Sequence, residues 1–363
     1  MKGKKKLALI MAGAMLVASL AGCGGSGGSA STPAAGGDSA GGAAASGSSE
    51  AAELNIIIAS NQTAEDNPYS FGMDKFKEVL EDISGGKVAV TVHKGTLGEN
   101  ESELIEKLEM GALDITVASP GFMTAIGVPE VDIFALNYLF DSFDHWEACV
   151  DGEFGNQMKD IVNEKTNNSF RILDYWTASV RDFYGKKKVV SPSDLQGMTV
   201  RIQSSTVQQK FWEACGAIPT TVAWGELYQA LQQGVVDSAE NDYTNFMLKD
   251  HHKTENGKYV SETHHDFTTR LLLISGNRYD ALTDEQKAWI DEAAAAATKE
   301  EREVTYRMFE ESKAQVIADG ATVTNFDEID IDAFKALALP IQDEFAADNN
   351  MTEQLELIRS LAP

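Results

Sequence analysis

Arg201 and Asn241 are the side chains of this sequence best suited to chemistry. Arg201 ends the run Leu195-Gln196-Gly197-Met198-Thr199-Val200-Arg201, which reads as loop, turn and strand. Asn241 closes Gln232-Gln233-Gly234-Val235-Val236-Asp237-Ser238-Ala239-Glu240-Asn241, which places an amide in a similar setting. A guanidinium is a planar fork of donors, and a carboxamide both donates and accepts. At strand–loop junctions the two suit a small carboxylate better than any covalent chemistry, and lysine would lose the fork. The competing reading of Arg201 is a surface ion pair in an acid-rich protein, which contributes little.

Other chemistries lack their signatures. No strand-borne Gly-x-Ser-x-Gly elbow, phosphate loop or dinucleotide fingerprint occurs, so neither a catalytic residue nor a cofactor is expected. His251-His252 and His264-His265-Asp266 invite a metal or acid–base reading. Adjacent side chains on one backbone point apart, and neither pair has helical i, i+4 spacing, so no metal site is expected.

The elements that must hold these residues alternate strand and helix. Leu54–Ala59 is a continuous apolar run containing Ile56, Ile57 and Ile58, a buried parallel strand that ends at Ser60-Asn61-Gln62. Phe76, Val79, Leu80 and Ile83 predict a helix over 73–83, ended by Gly85-Gly86. Val88, Val90 and Val92 alternate in a strand over 87–93; a helix over 101–110 and a strand over 115–118 follow. This order predicts an α/β lobe on a parallel sheet. The pattern returns after 170, with strands over 171–176, 200–203, 235–239 and 271–275 and helices over 206–215 and 225–233. Two such lobes hold a ligand in the cleft between them. Asp284–Ala318 contains neither Pro nor Gly; as one helix of ~50 Å it would cross both lobes. Two helices broken near Thr298 are the alternative. A short strand at 322–323 and further helices complete the chain.

Asn61 and Ser119 follow the first and third strands, and ligands of open α/β sheets bind at such strand ends. Tyr175, Trp176, Tyr184, Trp224 and Tyr243 fall near the cleft segments. Rings beside hydroxyl-bonding Asp and Asn suit a sugar acid, although Tyr175, inside a strand, reads as core.

The N-terminus reads as an export signal. Lys2, Lys4, Lys5 and Lys6 precede an apolar run, Leu7–Leu20, too short to span a bilayer comfortably. Leu20-Ala21-Gly22-Cys23 resembles a bacterial lipobox, which implies a signal peptide over 1–22 and lipidation of Cys23; an ordinary secretory signal is the alternative. Residues 23–52, nearly all Gly, Ser and Ala, read as a disordered tether. Removing residues 1–22 takes the formal charge from −26 to about −30, because four lysines and no acid leave. Such a surface excludes nucleic acid as a partner, so any anion site must be built locally by arginines. Of the remaining cysteines, Cys149 and Cys215 sit in apolar helical settings and read as buried free thiols, with one disulfide as the alternative.

Several stretches together carry a family resemblance. They include Gly95-Thr96-Leu97-Gly98-Glu99, Gly111-Ala112-Leu113-Asp114-Ile115, Leu136-Asn137-Tyr138-Leu139-Phe140, Asp194-Leu195-Gln196-Gly197 with Arg201, and Glu226-Leu227-Tyr228-Gln229-Ala230-Leu231-Gln232-Gln233-Gly234. Their order and spacing over about residues 54–340 resemble the DctP-type substrate-binding proteins of TRAP transporters. The resemblance implies an α/β, two-lobed periplasmic-binding-protein-like fold, with a long helix spanning both lobes and a ligand cleft between them. It places lobe I at 53–178 with about 267–300, and lobe II at 179–266 with about 301–363. It implies that Arg201 clamps a substrate carboxylate, Arg181 is a second ligand-contacting arginine, Asn241 bonds the same carboxylate region and Trp224 packs on the ligand body. Asn61, Ser119, Tyr243 and Asp242 complete the expected ligand contacts. The implied partners are a small organic acid, the membrane subunits of a TRAP permease, and the membrane through the lipid anchor. Departures from the family pattern are Ser179 for a glycine, Asn137 for a proline, and Asp242 for a proline after the Glu240-Asn241 pair. A sugar acid such as a uronate or aldonate is favoured over a C4-dicarboxylate. A sensory binding protein with the same cleft, or an anchored enzyme acting on acidic sugars with paired carboxylates, are the alternatives.

Overall fold

The computed structural model describes residues 52–363. The signal expected over 1–22, the lipidated Cys23 and all but the last residue of the tether lie outside the described residues.

In chain order the elements are β1 (Leu54–Ser60), α1 (Pro68–Ile83), β2 (Val88–Lys94), α2 (Glu101–Glu109), β3 (Ile115–Ala118), α3 (Pro120–Ala125), α4 (Phe143–Val150), α5 (Glu153–Lys165) and β4 (Phe170–Gly185). Then come β5 (Thr199–Ile202), α6 (Thr206–Ala214), β6 (Ile218–Thr221), α7 (Leu227–Gln232), β7 (Ser238–Asn241), α8 (Tyr243–Leu248) and β8 (Tyr259–Ser275). The chain finishes with α9 (Gly276–Asp280), α10 (Asp284–Ala318), β9 (Thr322–Thr324), α11 (Ile331–Asp348) and α12 (Thr352–Ser360). Local chemistry sets the boundaries. Asn67 caps α1 by accepting the Tyr69 N–H ahead of Pro68, and Thr283 with Gln286 forms a reciprocal capping box on α10. Val235 and Val236, read as strand, instead send both N–H groups back to the Ala230 carbonyl and close α7. The strand therefore begins only at Ser238.

The expectation of parallel sheets needs correction. The strands form one sheet in the order β2-β1-β3-β8-β4-β7-β5-β6, with β9 on β8. Its flanks are parallel, β1 with β2 and β3 and β5 with β6 and β7, as is the short β9 on β8. The centre is antiparallel, because β4 and β8 run against each other and against β7 and β3. Both long strands extend well beyond their apolar ends at 171–176 and 271–275. Thr177, Ser179, Arg181, Thr263, His265, Asp266, Thr268 and Arg270 occupy their polar stretches, and all are buried. Polar residues broke the hydrophobic pattern there, so the sequence read as loop what is sheet beneath the cleft. Between Thr177 and Val180 the pairing shifts register, and Ser179 has φ 66°. That left-handed backbone explains why the family pattern has glycine where Ser179 stands.

The long helix is unbroken. Thr298 lies inside α10, and its hydroxyl accepts the Trp176 indole N–H at 3.0 Å. Ile290, Ala293, Ala294 and Ala297 pack with Met73, Phe76 and Trp176. At the other end Val316 joins Tyr184, Leu231 and Tyr243. Gly72 permits the close approach of α1, since a Cβ there would lie 2.7 Å from the Trp176 ring and 3.0 Å from Glu301 Cβ. The C-terminal helices tie back to the body: Phe334 and Ala338 pack with Phe211, and Leu355 and Ile358 with Phe154 and Met158. Cys149 and Cys215 are buried free thiols, both pushed up to about 12 by burial. Among the described residues no helix is long and apolar enough to cross a membrane.

Candidate ligand-binding site

A cavity of about 530 Å³ opens between the two halves of the sheet. The β1–β3 half supplies Asn61 and Gln62 beyond β1, Tyr69 from α1 and Glu101 from α2. The β5–β7 half supplies Arg201, Asn241, Trp224 and Asn245. The central strands contribute Arg181 from β4 and Arg270 from β8. Polar groups thus converge from many elements on a volume suited to a sugar-sized ligand.

Arg181 is spent on the protein. It is fully buried, and both Nε and Nη2 donate to the Glu240 carboxylate. Nη2 also reaches the Glu240 carbonyl at 2.7 Å, and Nη1 reaches Asn241 Oδ1 at 2.8 Å. Glu240 is backed by His265 at 3.4 Å, whose other ring nitrogen meets Thr263 Oγ1 at 2.7 Å. Burial pushes the Glu240 carboxyl upward, but the Arg181 charge and hydrogen bonds with His265 outweigh it and hold the group at about 2.

Arg201 is also buried, yet it is nearly idle. Its Nε donates to the Val222 carbonyl at 3.0 Å, and its Nη1 has no partner among the described residues. The guanidinium lies 5.9 Å from the centre of the Trp224 ring, within cation–π range. Trp224 Nε1 is likewise buried and without a partner there. Burial pulls Arg201 below its ordinary range, against the opposing pull of Glu240. Asn241 Oδ1 accepts from Arg181 Nη1 and from the Asp242 N–H at 3.0 Å. Both partners are donors, so the oxygen must face them, which leaves the amide nitrogen as the free donor.

The structure therefore brings Arg201, Arg181, Asn241, Trp224 and Asn61 to one space, where Arg181 is bonded mainly to Glu240 and through Nη1 to Asn241. Ser119, Asp242 and Tyr243 do not line it, and each has a physical reason. The Ser119 N–H and hydroxyl donate to the Glu101 carboxylate at 2.6 and 3.0 Å, so Ser119 sits behind a wall residue. Asp242 is the N-cap of α8 and accepts from the Asn245 N–H at 2.9 Å and its amide at 2.8 Å. Its φ of −73° is one proline adopts, so the family's proline and this aspartate serve the same backbone. Tyr243, the first residue of α8, donates its hydroxyl to Glu262 at 3.0 Å. Tyr175 lies in the core and donates to the Gly155 carbonyl at 2.7 Å.

The histidines have partners of their own. His251 meets the Tyr184 hydroxyl at 2.8 Å and is pushed down to about 3 by burial, and His252 lies 3.1 Å from Asp319. Sequence reasoning missed Gln62, Tyr69, Glu101, Asn245 and Arg270 on the wall. One signal was present: Arg270 is a cation heading the apolar run Leu271–Ile274, an expensive place for an unused charge.

A sequence model of the family described as DctP, bacterial extracellular solute-binding protein, family 7, matches residues 59–349. A solute-binding protein of Chromohalobacter salexigens is 30% identical over 280 residues, covering 77% of this chain and 81% of its own. A solved TRAP periplasmic solute binding protein from a Sulfitobacter species, with bound β-D-galacturonate, is 30% identical and superposes with a TM-score of 0.77. The match covers 84% of this chain and 99% of that one. Another, from Sulfurospirillum deleyianum with bound succinate, is 28% identical with a TM-score of 0.76, covering 85% and 99%.

Proposed function

The chain belongs to the DctP family of bacterial extracellular solute-binding proteins, solute carriers rather than enzymes, and we propose that it captures an organic acid for a TRAP permease. The proposed ligand is a hydroxylated sugar acid such as a uronate or aldonate, ahead of a C4-dicarboxylate. The observation that carries this reading is Arg201, a buried guanidinium on the cavity wall with an unused Nη1. A carboxylate would accept its fork, the Asn241 amide would donate beside it, and Trp224 would offer a face to the ligand body. The relatives with bound galacturonate and succinate support an acid as the ligand class. The cavity volume and its amide-rich wall favour a hydroxylated acid over succinate.

Closure of the two lobes on the ligand is the proposed mechanism. Contacts from both halves of the sheet stabilise the shut form, so affinity measures how much better the closed state is held than the open one. The lobe limits at 178/179 and 266/267, the signal over 1–22 and the anchor at Cys23 belong to the same proposal. The anchor would keep the carrier beside its permease outside the membrane. A thermal-shift series of uronates, aldonates and C4-dicarboxylates tests it. The expected result is stabilisation by a sugar acid in wild type and its loss in Arg201→Lys; a variant that binds as well as wild type would overturn the clamp.

A further inference from the structure

The cavity wall carries three arginines alongside Glu101, Glu103 and Glu106. Of its three arginines, Arg181 uses Nε, Nη1 and Nη2 on Glu240 and Asn241. Arg201 spends one donor on the Val222 carbonyl. Arg270 spends one, from Nη1 to the Thr269 carbonyl at 3.0 Å, and meets no carboxylate at ion-pair distance among the described residues. Arg270 is 6% exposed and Arg201 4%. A guanidinium loses much of its hydration on burial and regains it only through an acidic or strongly accepting partner.

The two idle arginines stand on different parts of the frame. Arg201 is carried by β5, and Arg270 by β8, where it pairs across the sheet with Trp176. In the strand order β8-β4-β7-β5 they are three strand spacings apart, about 14 Å between backbones. Long side chains from that separation approach a shared ligand from two sides. The acids whose ionisation feels the Arg270 charge are otherwise occupied, and Glu101 on the wall accepts from the Ser119 N–H and hydroxyl. Asp242 caps α8 through Asn245, Glu301 accepts from Thr177 and Thr305, and Asp266 bonds Gln208 at 3.4 Å. Burial raises Glu301 to about 8, so it offers little negative charge at neutral pH.

We propose that Arg270 is a second carboxylate acceptor, and that the preferred ligand is a hydroxylated diacid whose two ends are held by Arg201 and Arg270. This rests on the carboxylate reading of Arg201 and narrows the sugar acids to those acidic at both ends. Arg270 then selects for the distal carboxylate, while the amides of Asn61 and Gln62 face the hydroxylated middle. A uronate or aldonate satisfies Arg201 and leaves Arg270 buried and unpaired.

Titration calorimetry of the full-length chain tests this with galactarate, galacturonate, galactonate and succinate as probes. The expected wild-type result is galactarate bound at least about tenfold more tightly than either mono-acid of the same skeleton, with Arg270→Gln lowering galactarate affinity about 30-fold and the mono-acids less than about threefold. Arg270→Lys should restore part of the diacid preference by returning the charge without the fork. Equal affinity for galactarate and the mono-acids in wild type overturns the proposal while leaving the Arg201 clamp standing. So does an Arg270→Gln variant that weakens every acid alike, the mark of a structural role. No binding of any probe would instead overturn the carboxylate reading of the cavity itself. The wild-type ratio remains decisive even where the Arg270→Gln variant does not fold.

Discussion

Arg181 and Arg201 stand twenty residues apart on strands that both flank β7, and both are buried, yet the protein treats them in opposite ways. The region around Arg181 is a closed circuit: Glu240 neutralises it, His265 backs Glu240 and Asn241 takes the remaining donor. The region around Arg201 is left open, with one backbone carbonyl, an aromatic face and an unpartnered Nη1. On the proposed reading, one arginine serves architecture and the other affinity. A buried charge completed by the protein rigidifies the wall, whereas one left incomplete keeps its electrostatic potential for a ligand.

Removing Glu240 is the most severe way to break this contrast. Glu240→Gln leaves Arg181 charged and buried, and should cost about 3–5 kcal/mol of stability. Chemical denaturation measures it; a variant as stable as wild type would void the architectural role. Arg201→Gln should do the reverse. Stability should hold or rise, because an uncompensated buried cation is gone, while carboxylate affinity falls about 30-fold or more by calorimetry. Loss of fold and binding together would make the two arginines equivalent after all.

A smaller effect separates Glu240 from Glu301, also fully buried but with no cation bonded to it. Burial, only partly offset by hydrogen bonds from Thr177 and Thr305, raises Glu301 to about 8. Its folded value is above the unfolded one, so its contribution is fully present at low pH and is lost as pH rises towards 8. Glu240 is depressed to about 2, so its contribution is present near neutrality and is lost only in acid. Glu301 should therefore lower stability between pH 6 and 7.5 by at most about 2 kcal/mol, and Glu301→Gln should flatten the slope by that amount. A slope unchanged in the variant would assign the decline to other groups. Trp224→Ala is the finest probe. Losing the ring beside Arg201 should cost about 0.5–1 kcal/mol of binding, a two- to fivefold weakening, with no change in melting temperature.

What was legible in the sequence follows from where the signal is local. Arg201 and Asn241 were recognisable because each closes a short motif whose glycines, Gly197 at φ 71° and Gly234 at φ 71°, mark a turn by their own backbone. α10 was legible to both ends, since thirty-five residues without Pro or Gly leave few alternatives to a helix. The middle of β4 and β8 was not, because buried Thr, Ser, Arg and His look like loop until the paired strand and facing wall are known. Asn245 and Glu101 carried no local mark, and Ser119, Asp242 and Tyr243 looked like contacts until their bonds to Glu101, Asn245 and Glu262 were visible.

By itself the sequence determined the alternation of strands and helices, the long spanning helix and the presence of a forked cation and an amide at turn-bounded strands. These depend on neighbours a few residues away, through periodicity, capping and φ-permissive glycines. Only the tertiary structure decided which arginine is free. That depends on Glu240 meeting Arg181 across fifty-nine residues, while Arg201 and Arg270 meet no carboxylate at ion-pair distance among the described residues. Whether a buried charge is neutralised is a property of three-dimensional surroundings, not of the residue or its motif.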